Sequence, residues 1–178
     1  MKVKNIIELC KKKLLDDQKK DGHWLYELEA DTTIPSEYIL MNHFLGIKEE
    51  RLEKKLSTYI KKKQNPDGGW PLFWEGESNI STSVKAYYAL KLVGEKVSSK
   101  FMIKAKKKIL DLGGIENCNV FTKISLALFG QISWKKIPSM PVEIMSLPNW
   151  FPFHINKISY WSRTVVVPIL ITAHLVPI

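Results

Sequence analysis

Apolar residues recur along most of this chain at steps of three and four, the spacing that lays one stripe along a helix. In MKVKNIIELCKKKLLDD, Ile6, Ile7, Cys10, Leu14 and Leu15 share such a stripe and lysines fill the other faces. The period continues in TTIPSEYILMNHFLGI through Ile39, Leu40, Phe44 and Leu45, with Thr33 as N-cap, Pro35 in the first turn and Gly46 as the stop. Residues 48–63 place Leu52, Leu56, Tyr59 and Ile60 on one face. NISTSVKAYYALKLVGE reads as a helix capped by Ser81 or Thr82 and ended by Gly94, and SSKFMIKAKKKILDLGG as a Ser-capped helix closed by Gly113 and Gly114. NVFTKISLALFG is a short apolar helix stopping at Gly130. Residues 131–157 are rich in Pro and aromatics and predict irregular backbone. The last segment, from about Ile158, is apolar and helical, with Pro168 expected to kink or break it. The pattern predicts six or seven helices and no sheet.

Between the helices one unusual turn occurs twice. QKKDGHW, residues 18–24, and QNPDGGW, residues 64–70, both read Gln, three residues, Gly, one residue, Trp. Gln at a helix end can hydrogen-bond backbone groups left unpaired there. Gly after Asp supplies the positive φ that reverses the chain. Trp can then fold back and lay its ring over the Gln amide. Gln18, Gly22 and Trp24, and again Gln64, Gly68 and Trp70, are therefore expected to be structural clamps between helices. Helix pairs repeated around such turns stack into a solenoid or close into an α/α toroid. The chain stops in the apolar stretch ITAHLVPI, which leads to the expectation that it is truncated relative to its architecture.

Charge narrows the partners. The net charge of +9 comes almost entirely from lysine, since Arg51 and Arg163 are the only arginines. Nucleic-acid readers favour Arg forks, so no nucleic-acid partner is expected. A lysine surface is either solubilising or drawn to anionic lipid headgroups. Two cysteines, Cys10 and Cys118, make no disulfide framework. Cys10 is expected to be a buried thiol in a reducing compartment. The N-terminus lacks the continuous apolar core of a signal peptide, and the run from Thr164 is too short to span a bilayer. His23, His43, His154 and His174 have no partners at metal-ligand spacing, so no metal site is expected.

The two turns resemble the QW motif of the terpene cyclase/mutase family, and the flanking blocks extend the likeness to bacterial squalene–hopene cyclases. DGHWLYELEADTTIPSEYILMNHFLG is similar to that family's N-terminal block, and QNPDGGWPLF with STSVKAYYALKLVG to its second. GGIEN, NVFTK, PVEIM and WSRTVVVP follow in the order of its third. The likeness covers essentially the whole chain. It implies an all-α fold, a partial (α/α) toroid with QW-motif turns. Residues 1–20 would be the N-terminal helix of the family's catalytic α/α domain. Residues 21–178 would be the first part of its second toroid, truncated at the C-terminus.

The resemblance implies protonation-initiated polycyclisation of squalene to hopanoids, with no cofactor. Such chemistry needs a strong acid, aromatic faces for the cations and a dry wall. The family's acid is the central Asp of a D-x-D-D motif. That motif is absent from these 178 residues, so no catalytic residue is expected here and the chain alone should be inactive. Its partners would be squalene or a related linear polyprene, the cytoplasmic face of a membrane held peripherally, and a second chain or a missing remainder completing the cyclase. By resemblance, Trp161 in YWSRT lines the substrate cavity and can stabilise cations. Glu37 in PSEYIL belongs to a polar network at its water-side end. Phe121 in NVFTK is either a cavity aromatic or a core residue. Three positions depart from the family pattern: Lys85 where an acid is frequent, Asn119 where Arg is, and Ser125 where Trp occurs. The alternative function is a non-catalytic α-helical scaffold or binding module, or a decayed fragment of the same family. A protein prenyltransferase β-subunit also uses D-G-G-aromatic turns, but its zinc ligands have no counterpart here.

Overall fold

The computed structural model describes residues 3–26, 31–138 and 141–175. Seven α-helices occur among them, and the only β-pairing is an isolated antiparallel bridge between Pro71 and Ser78. The chain divides into two compact units, Met1–Ala30 and Asp31–Ile178.

The first unit is helix α1, Val3–Asp17, followed by the first Gln–Gly–Trp turn. Its stripe forms as the periodicity requires, yet no residue of α1 is buried. Ile6, Ile7, Leu14 and Leu15 are all exposed. Cys10 is exposed as well, which corrects the expectation of a buried thiol: an apolar stripe buries its residues only where a second surface covers it.

The second unit holds α2 (Thr33–Phe44), α3 (Glu50–Lys62), α4 (Ile80–Leu92), α5 (Lys100–Asp111), α6 (Val120–Leu128) and α7 (Tyr160–Leu175). Helix α4 is its centre and packs against α2, α3, α5 and α6. The sequence STSVKAYYAL explains why. Ser81, Thr82, Ser83, Ala86 and Ala89 are small and buried, so neighbouring helices approach α4 on several sides. Ile39, Ile60, Trp70, Ala86, Ala89, Leu90, Met102 and Ala105 form one core. Leu40, Val84, Tyr88, Ile109, Cys118 and Leu126 form a second. A third, Ile124, Ala127 and Ile137, is covered by Ile169 of α7.

Four helix ends repeat one device. After Gly46, Gly94, Gly113 and Gly130, all at positive φ, the next N–H returns to a carbonyl five residues back. That closure satisfies a carbonyl the helix leaves unpaired. The N-termini differ from the sequence reading. Helix α4 is capped by Asn79, whose Oδ1 accepts from the Ser81 and Thr82 N–H groups. At α2 the N-cap position is Thr32 and not Thr33, and the Asp31 carboxylate accepts from the Thr33 N–H at 2.9 Å. Ser99 stands at the start of α5, but its side chain makes no capping bond. Residues 131–157 carry short 3₁₀ turns at Trp134–Lys136, Val142–Ser146 and Ile155–Lys157. Helix α7 runs through Pro168 without breaking. Proline forfeits one helical hydrogen bond. The packing of Ile169 on the third core and the burial of Leu170 hold the helix across that gap.

Candidate functional site: paired turns and a buried lysine

The two Gln–Gly–Trp turns superimpose bond for bond in sequence register. Gln18 Nε2 donates to the Gly22 carbonyl at 2.7 Å, and Gln64 Nε2 to the Gly68 carbonyl at 2.8 Å. Trp24 Nε1 donates to the Leu14 carbonyl and Trp70 Nε1 to the Ile60 carbonyl, each ten residues back and each at 2.7 Å. Lys19 and Asn65 close the same backbone bonds, to His23 and Gly69. The indole, rather than the Gln amide, therefore satisfies the helix-end carbonyl. The Gln amide ties the turn to itself. Gln64 also donates to the Phe101 carbonyl at 3.0 Å, which joins the second turn to α5.

Gly68 is required twice over. Its φ is +99°, and a Cβ there would stand 2.7 Å from the Lys104 carbonyl oxygen. The turn is stapled further by Asp67, whose Oδ1 accepts from Ser78 Oγ at 2.7 Å and from the Gly69 N–H at 3.0 Å. Its other oxygen pairs with Lys108 at 2.9 Å. Burial pushes the Asp67 carboxyl up, but the Ser78, Gly69 and Lys108 donors together hold it below its usual value.

Glu37 lies on α2. Its Oε1 is 2.5 Å from Lys85 Nζ on α4. The Lys85 side chain is only 6% exposed, whereas that of Glu37 is 47% exposed. A lone ammonium at that depth would cost several kcal/mol, so the carboxylate is the reason a lysine is tolerated in the middle of α4. Glu37 also lines a cleft of about 250 Å³ between α2 and α6, whose other walls are Leu40, Met41, Phe44, Ser125, Leu128 and Phe129. Lys85 borders a second, more polar cleft of about 530 Å³ where α2, α4 and α6 begin.

The other resemblance-derived residues fall elsewhere. Phe121 is half exposed and Trp161 is 80% exposed, so neither is a core residue of this chain. Neither lines the α2–α6 cleft. Ser125 Oγ donates to the Phe121 carbonyl at 3.0 Å, which places Phe121 one turn from the cleft wall. Asn119 caps α6 by accepting from the Thr122 N–H at 2.9 Å. Among the described residues, no group of three or more His, Cys, Asp or Glu side chains stands close enough to hold a metal ion. The sequence reading treated Lys85 only as a departure and missed it as the partner of Glu37.

Residues 7–178 match the family described as squalene-hopene cyclase N-terminal domain. The chain belongs to that family. It is 49% identical over 177 residues to a squalene–hopene cyclase of Zymomonas mobilis, covering 99% of this chain and 27% of that protein. It is 52% identical over 165 residues to a squalene-hopene cyclase of Schizosaccharomyces japonicus, covering 92% of this chain and 25% of that protein. A dammaradiene synthase of Dryopteris crassirhizoma is 37% identical over 158 residues, covering 89% of this chain and 23% of that protein. The chain thus spans about a quarter of the length of the curated relatives it matches. With seven α-helices and no strand among its described residues, it has the fold class the family implies. Among those residues no helix is long and apolar enough to cross a membrane.

Proposed function

We propose that this chain is the N-terminal portion of a squalene–hopene-type triterpene cyclase. Residues 1–20 belong to the domain that carries the catalytic acid, and residues 21–178 begin the second toroid. The observation that carries this reading is 49% identity to a squalene–hopene cyclase across 99% of the chain. The substrate is squalene or a related linear polyprene. The acid lies outside this chain, because no D-x-D-D occurs among its 178 residues. What the chain contributes is wall and scaffold. The two turns fasten helix ends, Glu37 supplies a polar point beside an apolar cleft, and Phe121 and Trp161 supply aromatic faces. A desolvated indole face stabilises a cation by about 2 kcal/mol. The exposure of Trp161 supports a ring available to a cavity completed by further polypeptide. The completed protein sits peripherally on the cytoplasmic face of a membrane.

The test is a chimera in which this chain replaces the matching N-terminal stretch of the Zymomonas cyclase. Squalene incubated with the chain alone should give no cyclic product by gas chromatography. The chimera should give pentacyclic product. A folded chimera with no product, or product from the chain alone, contradicts the reading.

A further inference from the structure

Helix α5 buries one face only. Met102 and Ala105 lie in the first core and Ile109 in the second. On the opposite face stand Ile103 and Leu110, each more than half exposed. They are two turns apart and fall within about 20° of each other around the helix axis. Lys106 flanks them on one side, and Lys107, Lys100 and Lys104 on the other, all four exposed. Among the described residues none of these four has a carboxylate partner; the lysine of α5 that does is Lys108, held by Asp67. The one acid on the helix is Asp111, at its end. Single exposed apolar residues are ordinary on a protein surface. Helix α3 shows what an ordinary lysine face looks like here: Arg51, Lys54, Lys55 and Lys62 are exposed beside Glu50, with no exposed large apolar residue among them. A face that only solubilises has no use for Ile103 and Leu110. A nucleic-acid duplex offers phosphates but no hydrocarbon to cover them. An anionic lipid surface offers both, headgroup charge for the lysines and acyl carbon for the apolar pair. Lysine stems can lie along that boundary while their ammonium groups stay among the headgroups. Because α5 is already folded against the two cores, docking orders no backbone.

We propose that the outer face of α5 is a docking surface for an anionic phospholipid bilayer. The helix lies flat on the surface, with Ile103 and Leu110 entering the acyl boundary and Lys100, Lys104, Lys106 and Lys107 meeting headgroup phosphates. The proposal rests on reading the completed protein as peripheral to a membrane, and it adds which element makes contact and which lipid charge it selects.

The test uses the full chain with an environment-sensitive fluorophore on the thiol of Ile103→Cys in a Cys10→Ser background, since Cys118 is buried. The label reads α5 itself, whatever the exposed stripe of α1 does. Vesicles of phosphatidylcholine with about a third phosphatidylglycerol should shift its emission to the blue and shield it from acrylamide, and vesicles of phosphatidylcholine alone should do neither. Co-sedimentation of unlabelled variants, with folding checked by circular dichroism, gives the affinities. At about five-fold per lysine brought near an anionic surface, Lys100→Gln, Lys104→Gln, Lys106→Gln and Lys107→Gln together should weaken binding on the order of a hundred-fold. Lys54→Gln, Lys55→Gln and Lys62→Gln together, on α3, should change it by about two-fold or less. Ile103→Ser with Leu110→Ser should weaken vesicle binding about ten-fold and leave binding to a DNA duplex at the same salt unchanged. A label equally quenched with and without mixed vesicles overturns the proposal. So does an equal loss from the α3 and α5 lysines, or vesicle binding indifferent to the apolar pair, which would mean a merely electrostatic surface. Tighter binding to the duplex than to the mixed vesicles overturns it in favour of a nucleic-acid partner. If the four-lysine variant does not fold, the label and the apolar pair decide. A chain that docks through α5 but fails as a chimera with squalene keeps this surface and loses the cyclase reading. An active chimera from a chain whose label stays exposed does the reverse.

Discussion

Trp24 and Trp70 make the same hydrogen bond in different surroundings. Trp70 is fully buried within the first core, and Trp24 is 45% exposed. The two Gln residues differ likewise, because Gln64 bridges two carbonyls and Gln18 reaches one. Gln64→Ala should therefore lower stability by about 1–3 kcal/mol, as loss of partly buried hydrogen bonds does. Gln18→Ala should cost about 0.5 kcal/mol or less, since water replaces an exposed bond. Urea midpoints of the two variants check this, and equal shifts would mean that exposure does not set the cost. The thiols make a second contrast. Burial raises the Cys118 thiol above its usual value, while Cys10 is exposed. Iodoacetamide at neutral pH should label Cys10 at least ten-fold faster, since exposure and thiolate fraction set the rate. Comparable rates in the folded chain would contradict the placement of Cys118. At this scale the sequence identified the residues of the turns but not their bonds. Spacing says that Gln, Gly and Trp belong together. Which of them reaches the helix-end carbonyl depends on the length of the side chain measured against the folded turn.

The helices themselves were legible because period and glycine stops are local signals. Each left-handed glycine after α2, α4, α5 and α6 was visible as a sequence stop. The starts were less legible. In NISTS, four of the five residues can cap, and only the backbone shows that Asn79 is the one outside the helix. Asn79→Ala should cost about 1 kcal/mol, the usual value of an N-cap. The continuity of α7 through Pro168 is not legible for a related reason: the local cost of proline is fixed, but packing on both sides of it is not a local property.

Acid stability belongs to the element scale too, through the staple that ties the second turn to α5. The folded Asp67 carboxyl lies below its unfolded value of about 4. Its contribution is thus fully present above that pH and is lost as pH falls through the folded value. Asp67→Asn should lower stability at pH 7 and flatten the decline below about pH 4. Thermal melts from pH 7 to pH 2.5 check the sign. A variant whose acid decline is as steep as wild type would remove Asp67 from this role.

For the whole molecule, fold class and family were legible from the order of the blocks, because collinear motifs over the full length leave few alternatives. The neighbourhood of Glu37 was not. Glu37 and Lys85 are 48 residues apart, and only the packing of α2 on α4 brings them together. Nor did the sequence decide whether Phe121 and Trp161 are core. Their exposure does, and it changes what a substitution should do. In the isolated chain, Trp161→Ala should shift stability by about 0.5 kcal/mol or less, as at other exposed sites.

The central claim is that this chain walls a cavity in which a cyclising cation travels. Product analysis by gas chromatography of the chimera carrying Trp161→Ala, beside Trp161→Phe and a melting curve for each, tests it most directly. Loss of about 2 kcal/mol of cation stabilisation corresponds to a rate lowered by a factor of roughly thirty, with early-terminated products released. Trp161→Phe should retain much of the activity with the same melting temperature. An unchanged rate and product ratio in a folded Trp161→Ala chimera would contradict the claim.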